Sequence, residues 1–251
     1  ARDRFVAGYG TRSESLTKNP WLLMAVRFRS KTFGSLEGYD WKIEISDSDF
    51  SGTVFEFSPD ANGFDCNWRG ENQERLSPIV PSELSFGMYC QNPTHRNFIA
   101  SLAGGPENRF TAAVYLNSAL WWSGTIIPDV SDVEDSYYPF IFKVAATDGL
   151  GALKTVDYND AGTAYTGYDR LIDILARCLK KIAHVHAYYS SANPFIITAV
   201  NTYEAQHTYS STYDPLYYTY VDNEAFLKFD TNGGVEYMNC YDVIAEILKP
   251  F

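Results

Sequence analysis

Two histidines stand one residue apart in the chain, His184 and His186, and this spacing is found in some metal sites. On a β-strand, both imidazoles would project from the same face and could bind one ion. No third ligand follows at a recognisable spacing, and the pair stands where a helical pattern ends. A histidine is favoured there by the helix dipole alone. We therefore assign no metal ligand to this pair.

Carboxylates are concentrated in two places, at Asp47 with Asp49 and in the loop of residues 129–136, which reads DVSDVEDS. Carboxylate oxygens are the ligands that calcium prefers. Neither group follows the Asp-x-Asp-x-Asp-Gly order, with a later Glu, that an EF-hand loop requires. The pattern favours solvated turns over a calcium site.

Trp121 and Trp122 could form a stacking platform for a sugar, and paired carboxylates beside a bound sugar would suit a glycosidase. On a regular strand, however, adjacent side chains point to opposite faces. We therefore expect one tryptophan to enter the core and the other to reach a surface. The two residues are candidates for a subunit contact or for ligand stacking.

The segment Asp148-Gly149-Leu150-Gly151 resembles a phosphate loop only in its glycines, because the GxxxxGK[ST] order is missing. It predicts a sharp turn from a strand into a helix, with Asp148 capping backbone N–H groups and Gly149 and Gly151 permitting the turn. The chain also contains no GxSxG and no HExxH motif. The sequence thus predicts no catalytic residue, no cofactor and no metal, and a protein that is not an enzyme.

Composition narrows the function classes further. The net charge of −11 disfavours general binding to nucleic acid, which requires a basic surface, and aromatic residues make up 16% of the chain. Such aromatic richness is typical of strands and of protein interfaces. No run approaches the ~18 apolar residues of a membrane span. The four cysteines form no CxxC pair, so the sequence favours isolated reduced thiols and assembly in a reducing cytoplasm.

The arrangement of apolar runs predicts an α+β protein that is mainly antiparallel β. Residues 1–20 are expected to form an irregular arm, and residues 21–160 a first barrel- or sandwich-like domain with a strand every 8 to 15 residues. Asn117-Ser118 is expected to turn a hairpin, and residues 95–103 to form a short helix that plugs or crosses the sheet. The strands are expected at residues 21–29, 41–45, 53–57, 64–68, 83–89, 111–116, 120–128 and 138–146.

Residues 161–251 are expected to hold a linker helix and the start of a second β-rich domain. Thr166 and Asp169 fit a capping box ahead of apolar residues with helical spacing from Leu171 to Ile182. A strand is expected at residues 195–200, and a capped helix at residues 239–248. The chain ends without polar residues, so we expect the natural polypeptide to continue.

A succession of motifs runs along the chain. It begins with Trp41-Lys42-Ile43-Glu44-Ile45, Ser51-Gly52, Trp68-Arg69-Gly70 and Ser77-Pro78-Ile79. It continues with Trp122-x-Gly124-x-Ile126-x-Pro128-Asp129, an acidic loop, Tyr138-Pro139, and Ala-Thr-Asp-Gly-Leu-Gly-x-Leu-Lys at residues 146–154. It ends with the Tyr-Asp-Val-Ile-x-x-Ile-Leu-Lys-Pro-Phe segment at residues 241–251. This succession resembles tail proteins of bacteriophages, particularly those infecting Bacteroidetes, and the resemblance spans nearly everything from Trp21 onward.

This resemblance implies a tail hub or baseplate protein with two barrel-like domains per subunit. It implies assembly as a ring, typically a trimer, that joins the tail tube to the tip, fibres or puncturing device, so that DNA would pass through without specific binding. The place of action would be the virion tail, after assembly in the host cytoplasm. The family pattern carries no catalytic residues. The alternative from another class is a carbohydrate-binding receptor-recognition module, or adhesin, that uses Trp121 or Trp122.

Overall fold

The structure is a computed structural model, and it describes most of the chain after residue 24. The described parts are residues 25–35, 37–68, 78–103, 105–106, 108–128, 137–182, 215–229 and 234–249. The predicted N-terminal arm, the strand at residues 195–200, His184, His186 and the acidic loop lie outside them.

One nine-stranded sheet forms the first part of the molecule, and antiparallel pairs dominate it. The strand positions follow the alternating runs of the sequence, because alternation places every second side chain on the covered face. The β7–β8 hairpin turns at Asn117-Ser118, where both residues have positive φ, which confirms the predicted two-residue turn. The strands are β1 (Ala25–Ser30), β2 (Phe33–Gly34), β3 (Asp40–Asp47), β4 (Phe55–Phe57), β5 (Pro59–Trp68), β6 (Ser82–Cys90), β7 (Phe110–Leu116), β8 (Ala119–Ile126) and β9 (Phe140–Thr147).

The strand order is β4-β1-β3-β7-β8-β9-β6-β5, with β2 paired to β3. The path is open among the described residues, because no ladder pairs β4 side by side with β5, so the domain predicted to be barrel- or sandwich-like is not a closed barrel there. The two ends nevertheless meet through the chain, since Ser58 alone separates β4 from β5. Phe57 is paired to Ser30 of β1, and the amide of Tyr89 in β6 donates to the carbonyl of Ser58. The sheet must therefore curl around a single interior.

The interior is filled by the inward side chains of the sheet and by helix α1 (Pro93–Ala103). Phe98 of α1 contacts Phe28 of β1 and Phe110 of β7, with ring centroids 4.6 and 5.7 Å apart. The predicted short helix that plugs the sheet is thus confirmed. Each fully buried Phe, Ile or Leu contributes roughly 1.5–3 kcal/mol. The core consists mainly of Phe28, Ile43, Ile45, Phe57, Leu84, Phe86, Met88, Phe98, Ile99, Leu102, Phe110, Val114, Trp122, Ile126, Phe142 and Val144.

A second hydrophobic cluster is built mainly by the chain after β9, and it is organised by helices. Its centre is α2 (Leu171–Lys180) packed against α4 (Cys240–Leu248), and Leu153 and Tyr158 extend it toward β9. Ile79, from the segment before β6, also belongs to it. The other elements are a 3₁₀-helix (Leu150–Thr155), β10 (Tyr168–Arg170), the helical turn α3 (Pro215–Tyr218), β11 (Tyr220–Asp222), a 3₁₀-helix (Asn223–Phe226), β12 (Leu227–Phe229) and β13 (Val235–Tyr237).

The caps of the two long helices differ from each other. Asn239 caps α4, because its side-chain oxygen accepts from the amide of Asp242 at 2.8 Å, as the sequence predicts. The capping box predicted for α2 is wrong. The N-cap is Arg170, without a side-chain cap, and Asp169 instead accepts hydrogen bonds from Arg177 and Asn223.

Candidate functional site

Two of the sequence motifs, Trp122-x-Gly124 and the segment that contains Asp148, meet Ser82 at the point where β9 leads into the second cluster. The indole N–H of Trp122 donates to the hydroxyl of Ser82 at 2.9 Å, and that hydroxyl donates to Asp148 Oδ2 at 2.8 Å. The amide of Asp148 donates to the carbonyl of Ser82, so the end of β9 is fixed to the start of β6. Trp122 and Ser82 are both buried, and their polar groups satisfy each other. We call Ser82, Trp122, Gly124 and Asp148 the motif junction.

Gly124 has a steric reason to be glycine. A Cβ atom at this position would lie 2.3 Å from the Trp122 ring and 2.4 Å from the carbonyl oxygen of Thr147. The ring of Trp122 therefore lies over the backbone of its own strand, where no larger residue fits. The packing of Trp122 over its own strand thus explains the Trp-x-Gly motif. The same contact places β8 against the end of β9.

Asp148 and Gly149 turn the chain out of β9 into the 3₁₀-helix Leu150–Thr155. Asp148 Oδ1 accepts from the amide of Leu150 at 3.0 Å, and Gly149 has φ of 79°. A non-glycine residue is disfavoured at that φ. Gly151 differs, because its φ is not positive and a Cβ would meet nothing within 4 Å. Of the two glycines predicted to permit the turn, Gly149 has the conformation that requires one.

Replacing Asp148 by alanine is expected to lower the free energy of unfolding by about 2 kcal/mol, because one capping bond and two bonds to Ser82 are lost together. Equilibrium urea denaturation followed by circular dichroism would measure the loss. Asp148→Asn retains an acceptor for the amide of Leu150 and should cost less. Equal stability of Asp148→Ala and the wild type would contradict the capping role.

Five aromatic side chains form a separate cluster at one end of the curled sheet. The ring of Trp121 lies 5.3 Å from Trp41, 5.8 Å from Phe64 and 5.7 Å from Trp68, measured between centroids. Its contacts with the two tryptophans are nearly perpendicular, at 83° and 90°, a geometry that aromatic pairs prefer. Phe33 completes the set against Phe64. We call these five residues the aromatic patch.

The aromatic patch is partly open to solvent. Trp68 is 56% exposed and Trp121 is 39% exposed, while Trp41 and Phe64 pack against the sheet core below them. Neighbouring Leu120 is also exposed. Since β5, β3 and β8 are not adjacent in the sheet, their rings meet only because the sheet curls.

A β-bulge directs Trp121 into the patch. Val114 is paired to Trp122 and Tyr115 to Leu120, so Trp121 is the extra residue of β8 and has no partner on β7. Bulges re-aim side chains and are frequent next to functional sites. Trp122 is buried, as expected for the tryptophan that enters the core. Regular alternation would have placed Trp121 on the outer face of the sheet, but the bulge brings it to the end of the core.

A polar network inside the second cluster is paired throughout. The hydroxyl of Tyr158 donates to Asn223 Oδ1 at 2.6 Å, and Asp169 accepts from Arg177 and from Asn223, each at 2.6 Å. Burial raises the pKa of Tyr158 to about 12, so the phenol stays protonated at neutral pH. Through Asp169, the network links Arg177 of α2 to Asn223 at the start of the 3₁₀-helix Asn223–Phe226.

Asp47, which the sequence assigns to a solvated turn, is instead buried in an ion-pair cluster. Its carboxylate accepts from Arg109 Nε and from Arg27 Nη1, each at 2.8 Å. Asp49 remains exposed beside Arg109. These arginines occupy the positions that a cation would need. Within the described ranges, no group of three or more potential metal ligands occurs, and no helix is long and apolar enough to cross a membrane.

The four cysteines are free thiols. Cys178 of α2 and Cys240 of α4 are both fully buried in the second cluster. Cys66 and Cys90 lie in the sheet part of the molecule.

Comparisons with protein-family models, with curated proteins and with solved structures found no match to this chain.

Proposed function

We propose that the chain is a structural component of a phage tail hub or baseplate, and that it assembles with copies of itself through the aromatic patch. The assembly would be a ring, with three subunits as the expected number, joining the tail tube to the tip, fibres or puncturing device. The observation that carries the proposal is the patch itself, a cluster of five rings on the sheet of which Trp68 and Trp121 are exposed.

The composition of the patch matches that of interface centres. Tryptophan and phenylalanine are enriched there and charged residues are depleted, because burying a ring on association gains free energy without desolvating a charge. Trp121 and Trp68 hold each other edge to face before any partner binds. Little side-chain entropy is then lost on association, which favours a tight contact.

The net charge of the chain favours the aromatic patch as the place where two copies meet. Each chain carries a net charge of −11, so two copies repel over most of their surfaces. The rings of the aromatic patch carry no charge, and an uncharged contact avoids opposing carboxylates. The resemblance of the motifs to tail hub proteins, which form rings, supports the same occupant.

The motif junction supports a structural role in another way. Two motifs of the resemblance, Trp122-x-Gly124 and the segment with Asp148, take part in packing, capping and hydrogen bonding at the motif junction. The buried carboxylate of Asp47 is paired with Arg27 and Arg109. A chain that uses its characteristic residues in this way suits a scaffold.

A carbohydrate-binding module is the second candidate, and the exposed ring of Trp68 favours it. Sugars stack on open aromatic faces, and Trp68 is the most exposed member of the patch. The ring of Trp121 already contacts Trp41 and Trp68, so less of its surface is open to a stacked sugar. A flat protein surface is less restricted by these contacts.

The double substitution Trp68→Ala/Trp121→Ala is expected to convert the assembled chain into monomers, because the two most exposed rings of the interface are removed. A hot-spot tryptophan contributes ~2 kcal/mol or more to the free energy of association, so the loss of each ring should weaken the contact at least about thirtyfold. Size-exclusion chromatography with light scattering measures the result. The wild type should show three times the 28.3 kDa of one chain, and the double variant 28.3 kDa.

The matched control is Tyr168→Ala, which removes a ring that is 72% exposed but lies on β10, outside the patch. It should leave the oligomer unchanged. A monomeric wild type that binds a glycan array, with binding lost in Trp68→Ala, would overturn the proposal in favour of the carbohydrate-binding module.

A further inference from the structure

Four exposed tyrosines lie together on β10, β11 and α3, in the part of the chain that builds the second cluster. Tyr168 of β10 is 72% exposed and Tyr220 of β11 is 60% exposed. The helical turn α3, with Tyr217 and Tyr218, leads directly into β11 and packs beside β10. Both of its rings are exposed as well. We call these four residues the tyrosine face, and rings left in solvent in this number indicate a surface for a partner.

The register of β10 and β11 determines which charged groups accompany these rings. Tyr168 is paired to Asp222, so their side chains project from the same side of the two strands, with Cβ atoms roughly 5 Å apart. Arg170 and Tyr220 form another pair on that side. The side chain of Asp169 points the other way and is bonded inside the second cluster. An exposed ring therefore stands beside a carboxylate at the pair of Tyr168 and Asp222.

The chain already holds one guanidinium on the tyrosine face. The guanidinium carbon of Arg170 lies 4.4 Å from the centre of the Tyr217 ring, and Arg170 Nε donates to Asp173 Oδ2 at 2.7 Å. A planar guanidinium suits this arrangement, because its flat side stacks on a ring while its N–H groups bond a carboxylate. Tyr168 and Asp222 offer the same two partners, and the ring of Tyr168 is open to solvent.

We propose that the tyrosine face binds an arginine-containing segment of a partner protein, with one arginine of that segment over Tyr168 and in contact with Asp222. Charge complementarity defines this occupant. Arg170 is already paired with Asp173, which leaves the carboxylate of Asp222 to attract a cation. The net charge of −11 acts in the same sense, since it attracts a basic segment and repels an acidic one.

This contact is separate from the proposed assembly through the aromatic patch. The tyrosine face lies on β10, β11 and α3, whereas the patch is built on strands of the nine-stranded sheet. A second copy of this acidic chain is a poor match for a site that attracts cations, so the occupant is a different protein. A substitution on the tyrosine face should weaken the new contact and leave the oligomer unchanged.

Fluorescence anisotropy with a labelled peptide of six arginines tests the proposal, at physiological salt, where diffuse attraction is screened. Tyr168→Ala/Tyr220→Ala should weaken binding about tenfold, because each ring that stacks on a guanidinium contributes a few-fold. Tyr168→Phe/Tyr220→Phe should bind within about twofold of the wild type, since both rings remain. A peptide of six lysines should bind at least about threefold more weakly, because an ammonium group cannot stack flat on a ring.

The carboxylate has its own matched pair of variants. Asp222→Asn should weaken binding about two- to fivefold, and it retains an acceptor for the amide of Glu224, so the local fold is kept. Asp49→Asn removes the same charge from an exposed carboxylate beside the sheet and should leave the affinity unchanged. An equal loss in the two variants would mean attraction by net charge alone and would overturn the proposal.

Other outcomes are equally decisive. An affinity that Tyr168→Ala/Tyr220→Ala leaves unchanged would overturn the proposal, and so would equal affinity for the lysine peptide. Binding of a neutral glycan without binding of the arginine peptide would assign the tyrosine face to carbohydrate instead. Trp68→Ala/Trp121→Ala should bind the peptide as the wild type does, so failure of the ring assembly and failure of the arginine site can be told apart.

Discussion

Replacing Gly124 by alanine is expected to lower the free energy of unfolding of the sheet by about 3 kcal/mol or more. The new methyl group would lie 2.3 Å from the Trp122 ring and 2.4 Å from the carbonyl oxygen of Thr147. The backbone oxygen cannot move without breaking the β8–β9 pairing, and the ring is anchored by its bond to Ser82. Urea denaturation followed by tryptophan fluorescence measures the loss, since all five tryptophans precede residue 123 and four of them lie in the described sheet.

Gly151→Ala is the matched control for this prediction. The same methyl group at that position meets nothing within 4 Å, and the backbone there is not left-handed. Its stability should stay within about 0.5 kcal/mol of the wild type. If Gly124→Ala were as stable as Gly151→Ala, the packing of Trp122 over its own strand would be wrong.

Replacing Asp47 by asparagine is expected to cost about 3 kcal/mol, because Arg27 and Arg109 lose the carboxylate that they share. Asp47 is 1% exposed, whereas the two arginines are partly exposed, which places the cost near the lower end for buried ion pairs. Urea denaturation again measures it. Asp49→Asn is the control, because Asp49 is 62% exposed and its contact with Arg109 Nε is 3.4 Å long. Its loss should be below about 0.5 kcal/mol.

The pH dependence of Asp47 follows from the same contacts. Burial raises the pKa of this carboxyl, but hydrogen bonds from Arg109, from the amide of Asp49 and from Arg27 outweigh it and hold the pKa below the ordinary 3.8. A lowered folded-state pKa means that the stabilisation is fully present above the unfolded-state value and is lost as pH falls through the folded-state value. The difference in stability between wild type and Asp47→Asn should therefore shrink below about pH 4. A difference that stays constant through that range would contradict the ion-pair cluster.

Local patterns in the sequence predict most of the sheet. Strands such as β9 alternate between buried and exposed residues because one face is covered. Asn117-Ser118 turns a hairpin in which both residues have positive φ, a conformation that asparagine tolerates well. These features depend on neighbours in the sequence, so one segment is enough to predict them. The cap of α4 by Asn239 is local in the same sense.

Other features depend on partners that are distant in the sequence, and these could not be predicted. The capping box for α2 is wrong because Asp169 is engaged by Arg177 and Asn223. The domain predicted to be barrel- or sandwich-like is an open sheet in the described residues, because β4 and β5 continue one another across Ser58 and do not pair side by side. Asp47 is buried because Arg109 reaches it from the segment before β7.

The candidate site shows the same division. The motif Trp122-x-Gly124 was visible in the sequence, but its partner Ser82 was not. The aromatic patch needs rings from four strands, together with a bulge that shifts Trp121 out of regular alternation. A bulge of one residue leaves no mark in an apolar run, so Trp41 and Trp68 could not be assigned to the same surface as Trp121.

Single-particle electron microscopy of the assembled chain tests the central proposal most directly. We predict a closed ring with threefold symmetry, in which Trp68 and Trp121 of one subunit are covered by a neighbouring subunit. A particle in which these two rings face solvent, or a preparation that contains isolated monomers alone, would contradict it.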